Sequence, residues 1–110
     1  MTKHKCYIAG PMSGIKDHNR KAFLDAEDFL RAIDSIESIF NPITSEASLL
    51  VQSGQVRDTK EAYRMCMALD CEWICKEATM LYMLKGWEYS KGAKAEHALA
   101  ICLGLEIVYQ

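Results

Sequence analysis

Short apolar runs ended by glycine or proline, alternating with stretches of helical period, limit what this chain can fold into more than any other feature. Cys6-Tyr7-Ile8-Ala9, closed at once by Gly10-Pro11, reads as a buried strand running into a loop. A helical pattern follows from about Asn19 to Ile33, with Phe23, Ala26, Phe29, Leu30 and Ile33 at three and four spacing. Ser38-Ile39-Phe40 before Asn41-Pro42 is a second short strand, because Pro42 biases Asn41 away from helix. From Ile43 to Arg57 the pattern is ambiguous: Ser45 can cap a short helix through Val51, with Gly54 ending it.

The second half repeats the alternation. Asp58-Thr59-Lys60-Glu61 has the form of a capping box and opens a helix through about Cys75. Thr79 to Leu84 is the most strand-like run, Gly86 to Tyr89 a loop, and Ser90 caps a last helix that Gly104 stops before a terminal strand from Leu105 to Tyr109. With 110 residues, half of them hydrophobic, there is material for one core. The expectation is a single α/β domain over residues 1–110: a three-layer, flavodoxin- or Rossmann-like sandwich around a four- to five-stranded parallel sheet. In such sheets ligands bind at the carboxyl ends of the strands, beside the switch point. The loops after Ala9 and after Leu84 both lie there.

Charge and cysteine usage exclude several functions. A formal net charge of −2 offers no basic surplus for a nucleic acid polymer or a membrane surface. The five cysteines, Cys6, Cys66, Cys71, Cys75 and Cys102, are odd in number and lack zinc-ribbon spacing, so they read as reduced, small core hydrophobes. The basic start, Met1 to Lys5, is followed by an apolar stretch of only Cys6 to Ala9, too short for a signal sequence, and no segment approaches membrane-spanning length. Together these point to the cytoplasm. No histidine has metal-ligand spacing, so neither a metal nor another cofactor is expected; His4 and His18 read as exposed.

Two acids interrupt apolar stripes. The neighbours of Asp70 at three and four positions are Cys66, Met67, Trp73 and Ile74; those of Glu96 are Gly92, Ala93, Leu99 and Ala100. Each carboxylate therefore faces inward, where an ionised carboxylate is costly unless paired, hydrogen-bonded or open to a cavity. One reading is structural: each acid pairs with a Lys or Arg, or caps a backbone amide. The other is acid or base chemistry, since burial raises a carboxyl pKa toward the useful range. The loop Gly10 to Gly14 offers backbone amides suited to a phosphate or ribose oxygen, although it is neither a P-loop nor a dinucleotide fingerprint.

Tyr7-Ile8-Ala9-Gly10-Pro11-Met12-Ser13-Gly14, Asn19, Phe23 and Phe40-Asn41-Pro42 resemble the nucleoside 2-deoxyribosyltransferase-like superfamily. Asp70-Cys71-Glu72-Trp73 is similar to the aspartate-bearing helix shared with the deoxynucleoside monophosphate N-hydrolases. Gly86-Trp87-Glu88, Ser90-Lys91-Gly92-Ala93 and Ala95-Glu96-His97-Ala98 resemble the catalytic segment. The likeness covers nearly the whole chain except Ile43 to Arg57. It implies cleavage or exchange of the N-glycosidic bond of a (deoxy)nucleoside or its 5′-monophosphate, with Glu96 as nucleophile, Asp70 positioning or protonating, and Tyr7 orienting Glu96.

Gly10, Met12, Ser13, Gly14, Asn19, Ser90 and Gly92 would then hold sugar or phosphate oxygens or complete the pocket, and Trp87 would stack on the base unless it is simply core. Met12 and Tyr89 lie where relatives complete the pocket from a neighbouring subunit, implying a homodimer or larger homo-oligomer, with His97 near a subunit contact. Thr79 stands where many relatives carry an aspartate, at what is expected to be the pocket's edge. Lys85 replaces a frequent proline and adds a charge near the mouth that favours a phosphorylated ligand. Hydrolase or transferase, and the preferred base and sugar, stay open. The competing classes are a nucleotide-binding module without turnover and an interaction protein whose Cys and Met stripes pack on partners.

Overall fold

Strand β1 (His4–Ala9) carries the layering of the whole molecule. Alternate side chains of a strand point to opposite faces, and both faces of this one are buried. Cys6 and Ile8 pack with Phe23, Ala26 and Leu30 on one side; Tyr7 and Ala9 pack with Ile74 and Ala100 on the other. The computed structural model describes residues 3–54 and 59–110. After β1 come α1 (Arg20–Arg31), β2 (Ile36–Phe40), α2 (Glu46–Gln52), α3 (Lys60–Lys76), β3 (Met80–Met83), α4 (Lys91–Leu103) and β4 (Glu106–Tyr109).

The four strands form one all-parallel sheet in the order β2-β1-β3-β4. From β1 the chain steps to one side to make β2, then returns across β1 to make β3. Right-handed crossovers in opposite directions put their helices on opposite faces, and α1 indeed lies on one face with α3 and α4 on the other. The result is the expected flavodoxin-like, three-layer sandwich, with its switch point between β1 and β3. Among the described residues no helix is long and apolar enough to cross a membrane.

Local details differ from the sequence reading where side chains compete for the backbone. Helix α1 begins at Arg20 rather than Asn19, because Asp17, His18 and Asn19 all adopt left-handed conformations, with φ of 53°, 53° and 62°. Asp and Asn tolerate that region better than most residues. Helix α3 is capped by Thr59, whose hydroxyl accepts from the Ala62 N–H at 3.2 Å; Asp58 of the proposed capping box lies outside the described residues. At α4 the reading holds: Ser90 Oγ accepts from the Ala93 N–H at 3.2 Å, and Gly104, at φ 71°, ends the helix.

The cysteines are corrected more broadly. Only Cys6 is in the core; Cys66 and Cys71 are half-buried, and Cys75 and Cys102 are exposed. The buried residues of α3 are Ala62, Asp70 and Ile74, so its cysteines flank the packed face or lie beyond it.

Gly10 shows how closely the first loop approaches the sheet. A Cβ built there would lie 2.8 Å from both Cβ and Cδ1 of Leu84, a side chain that is itself fully buried. Gly10→Ala is therefore expected to destabilise the fold by about 1–3 kcal/mol through overpacking. Chemical denaturation would check this, and an unchanged midpoint would mean that Leu84 can give way.

Candidate active site

The site is built around a buried phenol. Tyr7 points from the middle layer toward α3 and α4, and its ring rests on Phe40, stacked at 5.3 Å between centroids, and beside Trp73 at 6.3 Å. With the ring thus held, the hydroxyl donates to Glu96 Oε2 at 2.7 Å. Asp70, on the neighbouring helix, lies close enough to this hydroxyl for Tyr7 to lower its pKa. Tyr7 is 0%, Glu96 5% and Asp70 9% exposed.

The structural reading of the two acids meets no support. Among the described residues no Lys, Arg or His forms an ion pair with either; such pairs as Lys5–Glu77 and Arg31–Glu27 lie elsewhere. Neither acid caps a helix, since Asp70 is well inside α3 and Glu96 well inside α4. Both instead face a cleft of about 610 Å³.

Burial is the first cause of their protonation. Burial pushes Glu96 up to about 8; the Tyr7 hydrogen bond opposes this and the nearby charge of Asp70 adds to it. Burial likewise pushes Asp70 up to about 6, against the Tyr7 hydrogen bond. Tyr7 is held well above the ordinary phenol range, by burial first and then by the charges of Glu96 and Asp70. Between about pH 6 and 8 the two carboxyls thus hold roughly one proton between them. One carboxyl group ready to give a proton and one ready to act as an anion share a single phenol.

Three elements close around this centre at the carboxyl end of the sheet. The loop Gly10 to Ile15, the amino end of α4 from Ser90 to Ala93, and Ser48 and Gln52 of α2 all line the cleft. At Gly92 α4 comes close to side chains of α3, since a Cβ there would stand 3.1 Å from the Tyr63 hydroxyl. Of the residues singled out from sequence, Tyr7, Gly10, Met12, Ser13, Gly14, Asp70, Ser90, Gly92 and Glu96 come together here.

Asn19 and Trp87 do not. Asn19 stands behind the loop, its Nδ2 donating to the Pro11 carbonyl at 3.0 Å, so it shapes the cleft without lining it. Trp87 is stacked on His97, 4.2 Å between centroids, and tilted against Tyr109 at 6.1 Å. His97 Nε2 in turn lies 2.8 Å from the Tyr109 hydroxyl. Trp87 and His97 thus form an aromatic cluster with β4, and the Trp87 ring is occupied within the chain.

Two further residues stand outside the cleft lining. Thr79 lies just before β3, at the end of the sheet opposite the cleft, where its Oγ1 accepts from the Lys5 N–H at 2.9 Å and lies 3.0 Å from His4 Nδ1. It joins β1 to β3 and leaves the pocket's edge untouched. Lys85 is exposed, its backbone N–H bonded to Gln110 Oε1 at 2.8 Å; Lys91 does line the cleft. His18, expected in solvent, lines the cleft, and His4 is half-buried, 2.8 Å from Glu106.

Sequence reasoning missed Cys66, Met67, Ser48 and Gln52 as lining residues. Cys66 and Met67 stand four and three positions before Asp70, so the stripe that turned Asp70 inward also carried them. Ser48 and Gln52 fall in the stretch whose pattern was ambiguous. Among the described residues no group of three or more His, Cys, Asp or Glu is arranged to hold a metal ion.

Fold and site together define a flavodoxin-like domain with a carboxyl–phenol–carboxyl cleft at its switch point. Residues 4–109 match the model of a family described as a domain of unknown function, DUF4406, and the chain belongs to that family. Comparisons with curated proteins and with solved structures found no match.

Proposed function

We propose that the protein cleaves or exchanges the N-glycosidic bond of a (deoxy)nucleoside 5′-monophosphate or nucleoside. The observation that carries this reading is the pair of buried carboxyl groups, Glu96 and Asp70, that have no ion-pair partner among the described residues and meet near the Tyr7 hydroxyl inside an open cleft. An ionised Glu96 oxygen attacks the anomeric carbon as its bond to the base nitrogen breaks, and the bonding electrons leave with the base. Asp70 supplies the proton that the departing base takes up. The glycosyl ester on Glu96 is then opened by water, which returns a proton to Asp70, or by the nitrogen of a second base.

Tyr7 favours this course by donating to the carboxylate form of Glu96, and the oxocarbenium-like charge that develops beside it favours the same form. The amino end of α4, with Ser90, Lys91 and Gly92, suits a 5′-phosphate. The same reading makes the protein cytoplasmic, in keeping with exposed thiols at Cys75 and Cys102. It also makes it a homo-oligomer in which Tyr89, 91% exposed beside the cleft, meets a second copy.

One observation favours a second reading, a nucleotide-binding module without turnover: with Glu96 pushed up to about 8, the free protein keeps that carboxyl largely protonated at neutral pH. Purified protein incubated with deoxy- and ribonucleoside 5′-monophosphates and free nucleosides, with and without an acceptor base, separates the two by chromatography of released base. The enzyme should release base with a bell-shaped kcat/KM profile whose limbs fall near pH 6 and 8. Ligand-induced thermal stabilisation with no released base at any pH would establish the binding module instead.

A further inference from the structure

Beside Tyr7, Asp70 and Glu96, Ser48 also carries a polar group, is more than nine-tenths buried and lines the cleft, and the proposed chemistry gives it no role. It is 7% exposed. Its hydrogen bonding leaves one group unspent. Gln52 Nε2 donates to the Ile43 carbonyl and to Ser48 Oγ, both at 2.8 Å, while Arg20 donates to Gln52 Oε1 at 3.2 Å. A guanidinium only donates and a backbone carbonyl only accepts, so the Gln52 amide has a single allowed orientation. Ser48 must then accept from Gln52, and its own proton is left to donate. Among the described residues no group accepts it. A hydroxyl proton in so buried a place is costly to leave without a partner, and the cleft is where a partner can come from.

The position says which part of the substrate that partner is, and here the inference rests on the glycosidase reading. Glu96 marks the anomeric carbon, and the amino end of α4, four to six residues before it on the same helix, takes the phosphate end. The base must leave on the other side. There the lining continues from Asp70 along α3 through Cys66 and Ala62, one and two turns earlier, to Ser48 on α2.

We infer that Ser48 recognises the leaving base: its hydroxyl donates to a ring nitrogen or carbonyl oxygen of the nucleobase, and Gln52, oriented by Arg20, keeps it a donor. The substrate class narrows accordingly to nucleotides whose base presents an acceptor on the edge facing α2. Ser48 acts as a specificity residue for the base, and Gln52 and Arg20 as positioning residues behind it.

Pairing the loss of the hydroxyl with the loss of single ligand atoms tests this. Nucleotide binding would be titrated calorimetrically on the full chain carrying Glu96→Gln, to prevent turnover, with and without Ser48→Ala. The ligands are the tightest-binding monophosphate of the panel and counterparts lacking one acceptor: 1-, 3- or 7-deaza or 6-deoxo for a purine, 3-deaza, 2-deoxo or 4-deoxo for a pyrimidine. One deletion is expected to weaken binding to the Ser48 protein by roughly three- to tenfold. Ser48→Ala should lose the same factor on the parent and nothing further on that counterpart. Gln52→Glu should bind like Ser48→Ala although the hydroxyl remains, because a carboxylate at 52 takes the Ser48 proton.

Equal losses on the parent and every counterpart would show a structural role only and overturn the inference. So would parent binding unchanged by Ser48→Ala. In either case the glycosidase reading survives if wild-type protein releases base. If no nucleotide binds and no base is released, both fall.

Discussion

Glu96→Ala is expected to abolish base release, lowering kcat by about 10³-fold or more, while the variant still binds nucleotide. The expectation follows from the proposed covalent route, in which Asp70 supplies the proton: among the described residues no further carboxylate stands beside Tyr7 to replace Glu96. Glu96→Gln should be equally inactive, because an amide of the same shape cannot form the ester. Single-turnover assays with chromatography of the base, beside calorimetric binding, would check both. A Glu96→Ala protein that retains more than about a tenth of the wild-type rate would exclude a nucleophilic role. Loss of binding together with turnover would instead mean that Glu96 holds the ground state, as in a module that only binds.

The second large effect is on stability, and its sign is opposite to that of most buried substitutions. Glu96 has a folded pKa of about 8 against an ordinary value of 4.5. Between those values the folded protein holds a proton that the unfolded chain has released. Stability from this group is therefore fully present below about pH 4.5, declines as pH rises, and is lost above about pH 8. Glu96→Gln removes the buried charge and should stabilise the protein at pH 9 by on the order of 3 kcal/mol, roughly 10 °C in Tm, with little change at pH 4.5. Thermal melts of both proteins across that range would measure it. A Tm difference independent of pH would mean that Glu96 keeps one protonation state throughout. A mutant less stable at pH 9 would mean that an ionised Glu96 is paired. Inactive and yet more stable at high pH is the joint signature of a charge placed for chemistry at the fold's expense.

Much of this was legible in one dimension, and the particular residues show why. The Gly10-Pro11 stop, the alternation in β1 and the apolar neighbours of Asp70 and Glu96 are local patterns, and local geometry converts them directly into strand, loop and inward-facing acid. Thr79, Lys85 and Trp87 show where one dimension stops. Thr79 and Lys85 stood out as departures from a family pattern and Trp87 as a match to one, with core packing open for Trp87, while the place of each is decided by contacts with residues far along the chain. Thr79 meets Lys5 and His4, the Lys85 amide meets Gln110, and Trp87 meets His97 and Tyr109. Ser48 and Gln52 were hidden because a seven-residue helix has too few turns to display a period.

The amino-acid sequence by itself determined the class of fold, a parallel α/β sandwich, and that two carboxyl groups would be turned away from water. Both follow from periodicity and from the energetic penalty of exposing apolar faces. Only the tertiary structure decided that those carboxyl groups meet at one phenol 89 residues away from Glu96 in the chain, share about one proton, and open to a cleft with Ser48 at its far end. Those properties depend on distances between elements and on the water excluded between them, and such distances exist only once the sheet has brought β1, α3 and α4 together.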